Sequence, residues 1–232
     1  MRKAFTLLEL VFVIVVIGIL AAAIIPRVNT DRLHEAAIQV VSHIRYTQHL
    51  AMNDDKYNPL ETNWYEKRWQ FIFGESNNSS GEDSGGYQAY TIFSDFKNTS
   101  GGKPDFSSIN DTEIARDPAN RSKVLSGGYS GTIDWENPAA NKKLNLGYTY
   151  GITNMALSGG CSNKRISFDH LGRPMEGDSS SLTNPYVDSR LIDFDDPCIL
   201  TLTSPEGHVS IRIEGETGYT CILDSNENCL NN

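Results

Sequence analysis

Glu9 is the one ionisable side chain in an otherwise apolar run, Phe5 to Ile25 (FTLLELVFVIVVIGILAAAII). Placing a carboxylate in hydrocarbon costs about 2.5–3.5 kcal/mol, so its presence marks a functional position. The chemistry open to it is ion pairing rather than catalysis. Glu9 lies one helical turn after a possible cleavage point between Ala4 and Phe5. A cut there would free the amine of Phe5, and that ammonium on an adjacent copy is a natural partner for the carboxylate. Unpaired in lipid, the carboxyl would protonate or leave the membrane. Paired, it acts as a register device, because a one-residue slip would bury a lone charge.

Other residues with chemical potential lie further along. Cys161, Cys198, Cys221 and Cys229 all follow the apolar run. An even number in an exported domain points to disulfides, with three pairings open. The favoured one joins Cys161 to Cys198, at the approaches to two strands expected side by side. Cys221–Cys229 would then close the C-terminal tail and limit its fraying. Intervals of 36, 22 and 7 residues between these cysteines do not resemble a structural zinc site. Asp224, Asn226 and Asn228 are spaced like the opening ligands of a calcium loop, but its sharp-turn Gly and twelfth-position Glu are missing, which favours a solvated acidic tail. Asp169 beside His170 invites a hydrolytic triad. Neighbours on a strand point to opposite faces, so a pair flanking a turn is the better reading. His34, His43 and His49 do not have the i, i+4 spacing of a metal pair and read as surface or core-edge residues. The chain carries no nucleophile elbow, phosphate-binding loop or paired-histidine zinc motif. No enzymatic activity, cofactor or metal is expected.

The elements that must position these groups follow from pattern. Twenty-one helical residues span roughly 31 Å, enough for a bilayer core, so residues 5–25 are expected to form a transmembrane helix. Residues 1–4 (Met-Arg-Lys-Ala) form a short basic leader whose small residue precedes the apolar core, unlike a secretory signal. Arg2 and Lys3 would hold the N-terminus in the cytoplasm and leave the rest exported. Pro26 is expected to bend the helix without ending it. In residues 26–56, Leu33, Ala37, Val40, Ile44, Thr47 and Ala51 recur at three- and four-residue spacing. Ala36, Val41 and Leu50 widen the stripe, while Arg32, Glu35, Gln39 and Gln48 fall between. This helical continuation should end near Asn53. Residues 57–232 change character and are rich in Gly, Ser, Asn, Asp and aromatics. Strands are expected at Trp69–Phe73, Tyr87–Phe93, Leu144–Ile152, Arg165–Phe168, Ile199–Thr203, His208–Glu214 and Tyr219–Leu223. The loops Ser76–Gly86 and Asn98–Pro118 read as exposed. The expected class is α+β, one long helix packed on an antiparallel sheet that covers its apolar stripe.

The segment Lys3-Ala4-Phe5-Thr6-Leu7-Leu8-Glu9-Leu10 resembles the prepilin N-terminal methylation motif of type IV pilins and type II secretion pseudopilins, and the likeness extends to Pro26. It departs from the usual pattern in having Ala4, not Gly, before the cut. The resemblance implies a type IV pilin-like fold, cleavage between Ala4 and Phe5 by prepilin peptidase, N-methylation of Phe5 and a role for Glu9 in assembly. It also implies a single-pass bacterial inner-membrane protein with a periplasmic C-terminal domain, which later joins a filament. The partners implied are other pseudopilins or pilins and the inner-membrane assembly platform. Two later stretches resemble H-type (GspH/FimT-like) pseudopilins: Ile166 to Pro174 (ISFDHLGRP), and the set Ile199–Thr203, Val209–Ile213 and Glu216–Tyr219. Within the first, Gly172 is expected to supply a positive φ that lets Phe168 and Pro174 pair; Gly218 is expected to do the same before the last strand.

Charge bears on the partner. Twenty basic and 29 acidic residues give a formal charge of −9, and loss of Arg2 and Lys3 would make it more negative. Nucleic-acid binding needs a basic surface, so protein partners are favoured over DNA. Lys142-Lys143 and Lys164-Arg165 are only short basic patches. Three readings follow: a minor pseudopilin of a type II secretion system near the filament tip, a minor type IV pilin for initiation, adhesion or DNA uptake, and a tethered periplasmic enzyme or binding domain. Glu9 and the short leader weigh against the third, and the acidic charge and H-type likeness favour the first.

Overall fold

The computed structural model describes residues 7–54, 56–76, 86–97, 102–130 and 132–230, with the backbone alone for residues 22–31. Ala4 and Phe5 therefore lie outside the described residues. Helix α1 runs Leu7–Asn53 and stays helical through Pro26. The side chain of Pro26 falls outside the description. In the later part of α1, Leu33, Ala36, Ala37, Val40, Val41, Ile44, Thr47 and Ala51 are buried. Burying Leu33, Val40, Val41 and Ile44 alone contributes about 6–12 kcal/mol gross, at about 1.5–3 kcal/mol each. A domain's whole net stability is of that order, so tertiary cover, rather than helix propensity, holds this part of α1.

That cover comes from two sheets, where the sequence suggested one. The first has the order β2-β1-β6-β7, with β1 at Trp69–Glu75, β2 at Gln88–Ser94, β6 at Arg165–Phe168 and β7 at Pro174–Glu176. The second has the order β10-β9-β8-β5, with β5 at Asn154–Gly159, β8 at Cys198–Ser204, β9 at Gly207–Ile213 and β10 at Thr220–Ile222. All pairings in both sheets are antiparallel. One apolar core joins α1 to both sheets, with Phe71, Phe73, Tyr90, Ile166 and Phe168 from the first and Leu200, Leu202, Ile211, Ile213 and Ile222 from the second.

Two sequence expectations are corrected. Leu144–Ile152 is not a strand. It holds a 3-10 turn, Lys142–Leu144, and a short helix α2, Leu146–Tyr150. Asn145 accepts from the Tyr148 amide as N-cap, and Gly151 closes the helix at φ 74°. Leu146 and Tyr150, four apart, are buried while Tyr148 between them is exposed, as one helical turn requires; on a strand all three would share a face. The stretch Asn98–Pro118 is not merely an exposed loop. Its residues 102–118 include the ribbon β3 (Phe106–Ser108) and β4 (Asp111–Thr112). Ile114 and Ala115 are buried, and the Ala115 amide bonds the Ile92 carbonyl of β2 at 2.9 Å. Glu113 holds this segment by accepting from the Lys97 and Asp105 amides at 2.6 and 2.9 Å.

Candidate assembly site

The described N-terminal part of α1 stands clear of the folded head. Twelve large apolar side chains between Leu7 and Leu20 are exposed, Leu7 at 82%, Phe12 at 70% and Ile19 at 66%. They cover every side of the helix, as in a helix buried in lipid or among other helices. Contiguous apolar patches larger than a few hundred Å² mark interaction surfaces. Covering these twelve would contribute roughly 18–36 kcal/mol gross, at about 1.5–3 kcal/mol each, so a solvated state is strongly disfavoured. Glu9 sits exposed in the first turn of α1, the one carboxylate among these residues. At Gly18 an added Cβ would meet nothing within 4 Å, so close approach there is open to a neighbour rather than used within the chain. Among the described residues, no helix is long and apolar enough to cross a membrane; the proposed span 5–25 extends beyond them at one end and into the backbone-only stretch at the other.

The head holds α1 by a polar lattice as well as by its apolar stripe. Gln39 donates to Tyr90 Oη at 2.8 Å and to the Lys143 carbonyl at 2.9 Å, and its Oε1 accepts from Tyr150 at 3.0 Å. Tyr90 Oη also lies 2.6 Å from His43 Nδ1. Which of the two donates follows the imidazole tautomer. Burial pushes the His43 pKa down, partly offset by Asp117. Arg45 donates twice to the Thr220 carbonyl of β10, at 3.1 and 2.6 Å. Gln48 Nε2 donates to Gly172 O and to Thr217 O, each at 2.8 Å. One side chain thus ties α1 to the turn β6–β7 of the first sheet and the turn β9–β10 of the second. Sequence pattern had assigned Gln39 and Gln48 to the polar side of α1. Their places beside Val40 and Thr47, at the margins of the buried stripe, were the available signal.

The two turns that receive Gln48 depend on glycine. Gly172 has φ 81° and Gly218 φ 66°. Phe168 and Pro174 pair across the first turn. Asp169 lies buried at its start; Oδ1 accepts from the Leu171 and Arg173 amides, at 3.0 and 2.9 Å, and Oδ2 pairs with Arg173 Nε at 2.8 Å. Its carboxylate is committed to shaping the turn, with no hydrogen bond to His170. At the tail, Asp224 Oδ1 accepts from the Asn226 and Asn228 amides, each at 2.8 Å, which draws its pKa down. These are contacts of a capped turn rather than of a cation shell.

Disulfides join Cys161 to Cys198 and Cys221 to Cys229. The expected reason for the first pairing is corrected. The two strands concerned, β6 after Cys161 and β8 beginning at Cys198, belong to different sheets. Cys161 reaches Cys198 because β5 ends at Gly159 directly opposite Cys198. The bridge therefore fastens the crossover between the sheets. The second bridge pins the tail, where Leu230 N also bonds the Ile222 carbonyl of β10 at 2.8 Å.

Residues 1–25 match the family described as the prokaryotic N-terminal methylation motif. No curated protein and no solved structure matches the chain. The motif supports a type IV pilin-like protein of the pilin or pseudopilin structural type, with a membrane-anchored N-terminus. It implies processing by prepilin peptidase and assembly with other pilins. The α+β architecture, with its N-terminal helix and antiparallel sheets, is consistent with a pilin-like fold.

Proposed function

We propose that this chain is a minor pseudopilin of a type II secretion pseudopilus, assembled from the bacterial inner membrane and placed at or near the filament tip. It performs no enzymatic chemistry. One observation carries the reading: the methylation motif continues into a helix that is apolar on every side apart from Glu9 and leads into a head docked on its later part. In this reading residues 1–4 are a leader, residues 5–25 span the membrane, and Glu9 pairs with the freed amine of Phe5 on an adjacent subunit. The disulfide-bonded periplasmic head faces outward. The acidic formal charge and the β6–β7 hairpin favour the pseudopilus over a DNA-uptake pilus.

The test has two arms. Mass analysis of the purified N-terminus should find Met1–Ala4 removed and Phe5 methylated; an intact leader overturns the pilin-like reading. Deletion of the gene should then abolish secretion of type II substrates while twitching and DNA uptake persist. The converse pattern selects the minor pilin of a type IV pilus. Abundant uniform filaments built from this protein alone would overturn its minor, tip-proximal place.

A further inference from the structure

Three aromatic rings from separate segments gather on the surface of the head. Tyr87 precedes β2, Trp135 lies in the loop before the 3-10 turn Lys142–Leu144, and Tyr148 belongs to α2. Tyr87 and Tyr148 are exposed at 44% and 54%, and Trp135 is half-buried. The ring centroids stand 5.1–6.1 Å apart. Gly147 helps to seat them, since a Cβ added there would stand 2.9 Å from Tyr87 Cβ. Lys142 holds its Nζ 5.2 Å from the centre of the Trp135 ring, with Lys143 beside it, and both lysines are exposed. Tyr87 is tilted 81° to Trp135 and 72° to Tyr148, so the rings do not make the flat platform on which a base or sugar stacks. Clustered Trp and Tyr at a surface are the side chains of a protein-binding hot spot.

The same chain carries a matching shape. Phe194 is exposed at 64%, between Asp193 on one side and Asp195-Asp196 on the other, all three exposed. The turn that presents it is pinned at both ends. Ile192 is buried and its amide bonds the Pro174 carbonyl at 3.2 Å, while Cys198, just beyond, is bridged to Cys161. The Asp196 amide returns to the Asp193 carbonyl at 3.3 Å, and a Cβ added at Gly215 would stand 2.2 Å from that same oxygen. A turn ordered in advance loses little freedom on contact. Among the described residues, none of Asp193, Asp195, Asp196, Lys142 and Lys143 has an ion-pair partner. An aromatic knob collared by carboxylates thus complements a ring socket edged by ammonium groups.

We propose that Phe194 of one copy packs on Tyr87, Trp135 and Tyr148 of a second copy, with Asp193, Asp195 and Asp196 set against its Lys142 and Lys143. Knob and socket are different surfaces, so the contact is heterologous and runs in series rather than closing on a two-fold axis. They also lie at different levels of α1. The socket is near Gln39, which bonds the Lys143 carbonyl and Tyr150 Oη, and the knob abuts Gly215 in the turn that receives Gln48. At about 1.5 Å per residue those levels are roughly 14 Å apart, the offset that heads stacked along a common axis need. The contact joins heads and does not rest on the pseudopilus reading; at a filament tip it would stack one copy on the next.

The test uses the full chain in detergent micelles, mixed from ¹⁴N- and ¹⁵N-labelled protein. A carbodiimide, which joins a carboxylate to an amine in contact with it, is followed by mass mapping of mixed-isotope links. Links should join Lys142 or Lys143 to Asp193, Asp195 or Asp196 and fade as salt rises. Lys142→Glu with Lys143→Glu, and separately Asp195→Lys with Asp196→Lys, should each weaken association about tenfold or more, read by sedimentation. Mixed together, the two variants should associate again, because each offers the charge that the other needs. Phe194→Ser should weaken association with every charge in place. All these positions are exposed, so urea midpoints should match the parent chain, and association through α1 alone would respond to none of the changes. Links confined to one copy, links only at other residues, or a variant mixture that stays apart overturns the proposal. Saturable binding of a short oligodeoxynucleotide or chitin oligomer at these rings, without association of heads, also overturns it, in favour of that ligand.

Discussion

Replacing Gly218 by Ala should destabilise the head more than replacing Gly151 by Ala, and the difference measures the junction at Gln48. The two glycines have similar backbones, φ 66° and φ 74°. Each substitution forces a side chain into the left-handed region, at about 1–2 kcal/mol. At Gly151 the new Cβ meets nothing within 4 Å, so the cost ends there. At Gly218 it would stand 2.5 Å from Gln48 Nε2 and 2.6 Å from Gly172 O. The first can yield only by giving up the two bonds of Gln48, and the second is backbone of the neighbouring turn. Two hydrogen bonds at about 0.5–1.5 kcal/mol each put the extra loss at roughly 1–3 kcal/mol. With a urea slope of about 1–3 kcal/mol per molar, the midpoint of Gly218→Ala should fall about 1 M below that of Gly151→Ala. Tryptophan fluorescence follows the transition. Gln48→Ala should lower stability alone, and combined with Gly218→Ala should add little further. Equal midpoints for the two glycine variants, or full additivity with Gln48→Ala, would refute the reasoning.

Other perturbations act at the remaining contacts. Glu9→Ala should still reach the membrane but enter filaments poorly, measured by membrane fractionation beside filament immunoblotting; normal incorporation removes the register role. His43 has a depressed folded pKa, so the unfolded state binds more protons as pH falls below about 6.5. The stability from its neutral pairing with Tyr90 is therefore complete above that pH and lost below it. His43→Phe should flatten urea midpoints between about pH 6.5 and 5 relative to the parent chain. Loss of the Cys161–Cys198 bridge, with a sequence separation of 37, should cost about 4 kcal/mol on the loop-closure relation. Loss of Cys221–Cys229, with a separation of 8, should cost about 2.5 kcal/mol and mainly raise hydrogen exchange in the tail. An equal or reversed order in paired Cys→Ser variants would discount chain entropy as the cause.

What was legible in the sequence is what depends on near neighbours along the chain. The apolar run with Glu9 shows in an uninterrupted string of side chains, and the Leu33–Ala51 stripe shows in its helical spacing. The turn at Gly172 shows because a hairpin needs a residue that tolerates positive φ. Residues 144–152 misled because alternation there mimics a strand. An N-cap at Asn145 and a left-handed Gly151 made one turn of helix instead, burying Leu146 and Tyr150 together. Tertiary structure alone decided the division into two sheets, the reach of Cys161 to Cys198 past the end of β5, and the joining of two distant turns by Gln48. It also buried Arg68 against Met175 and the Pro185 carbonyl. Periodicity reports which face a residue presents, but a hydrogen-bond or ion-pair partner a hundred residues away is set by how the layers stack, and only the folded chain brings such groups within reach.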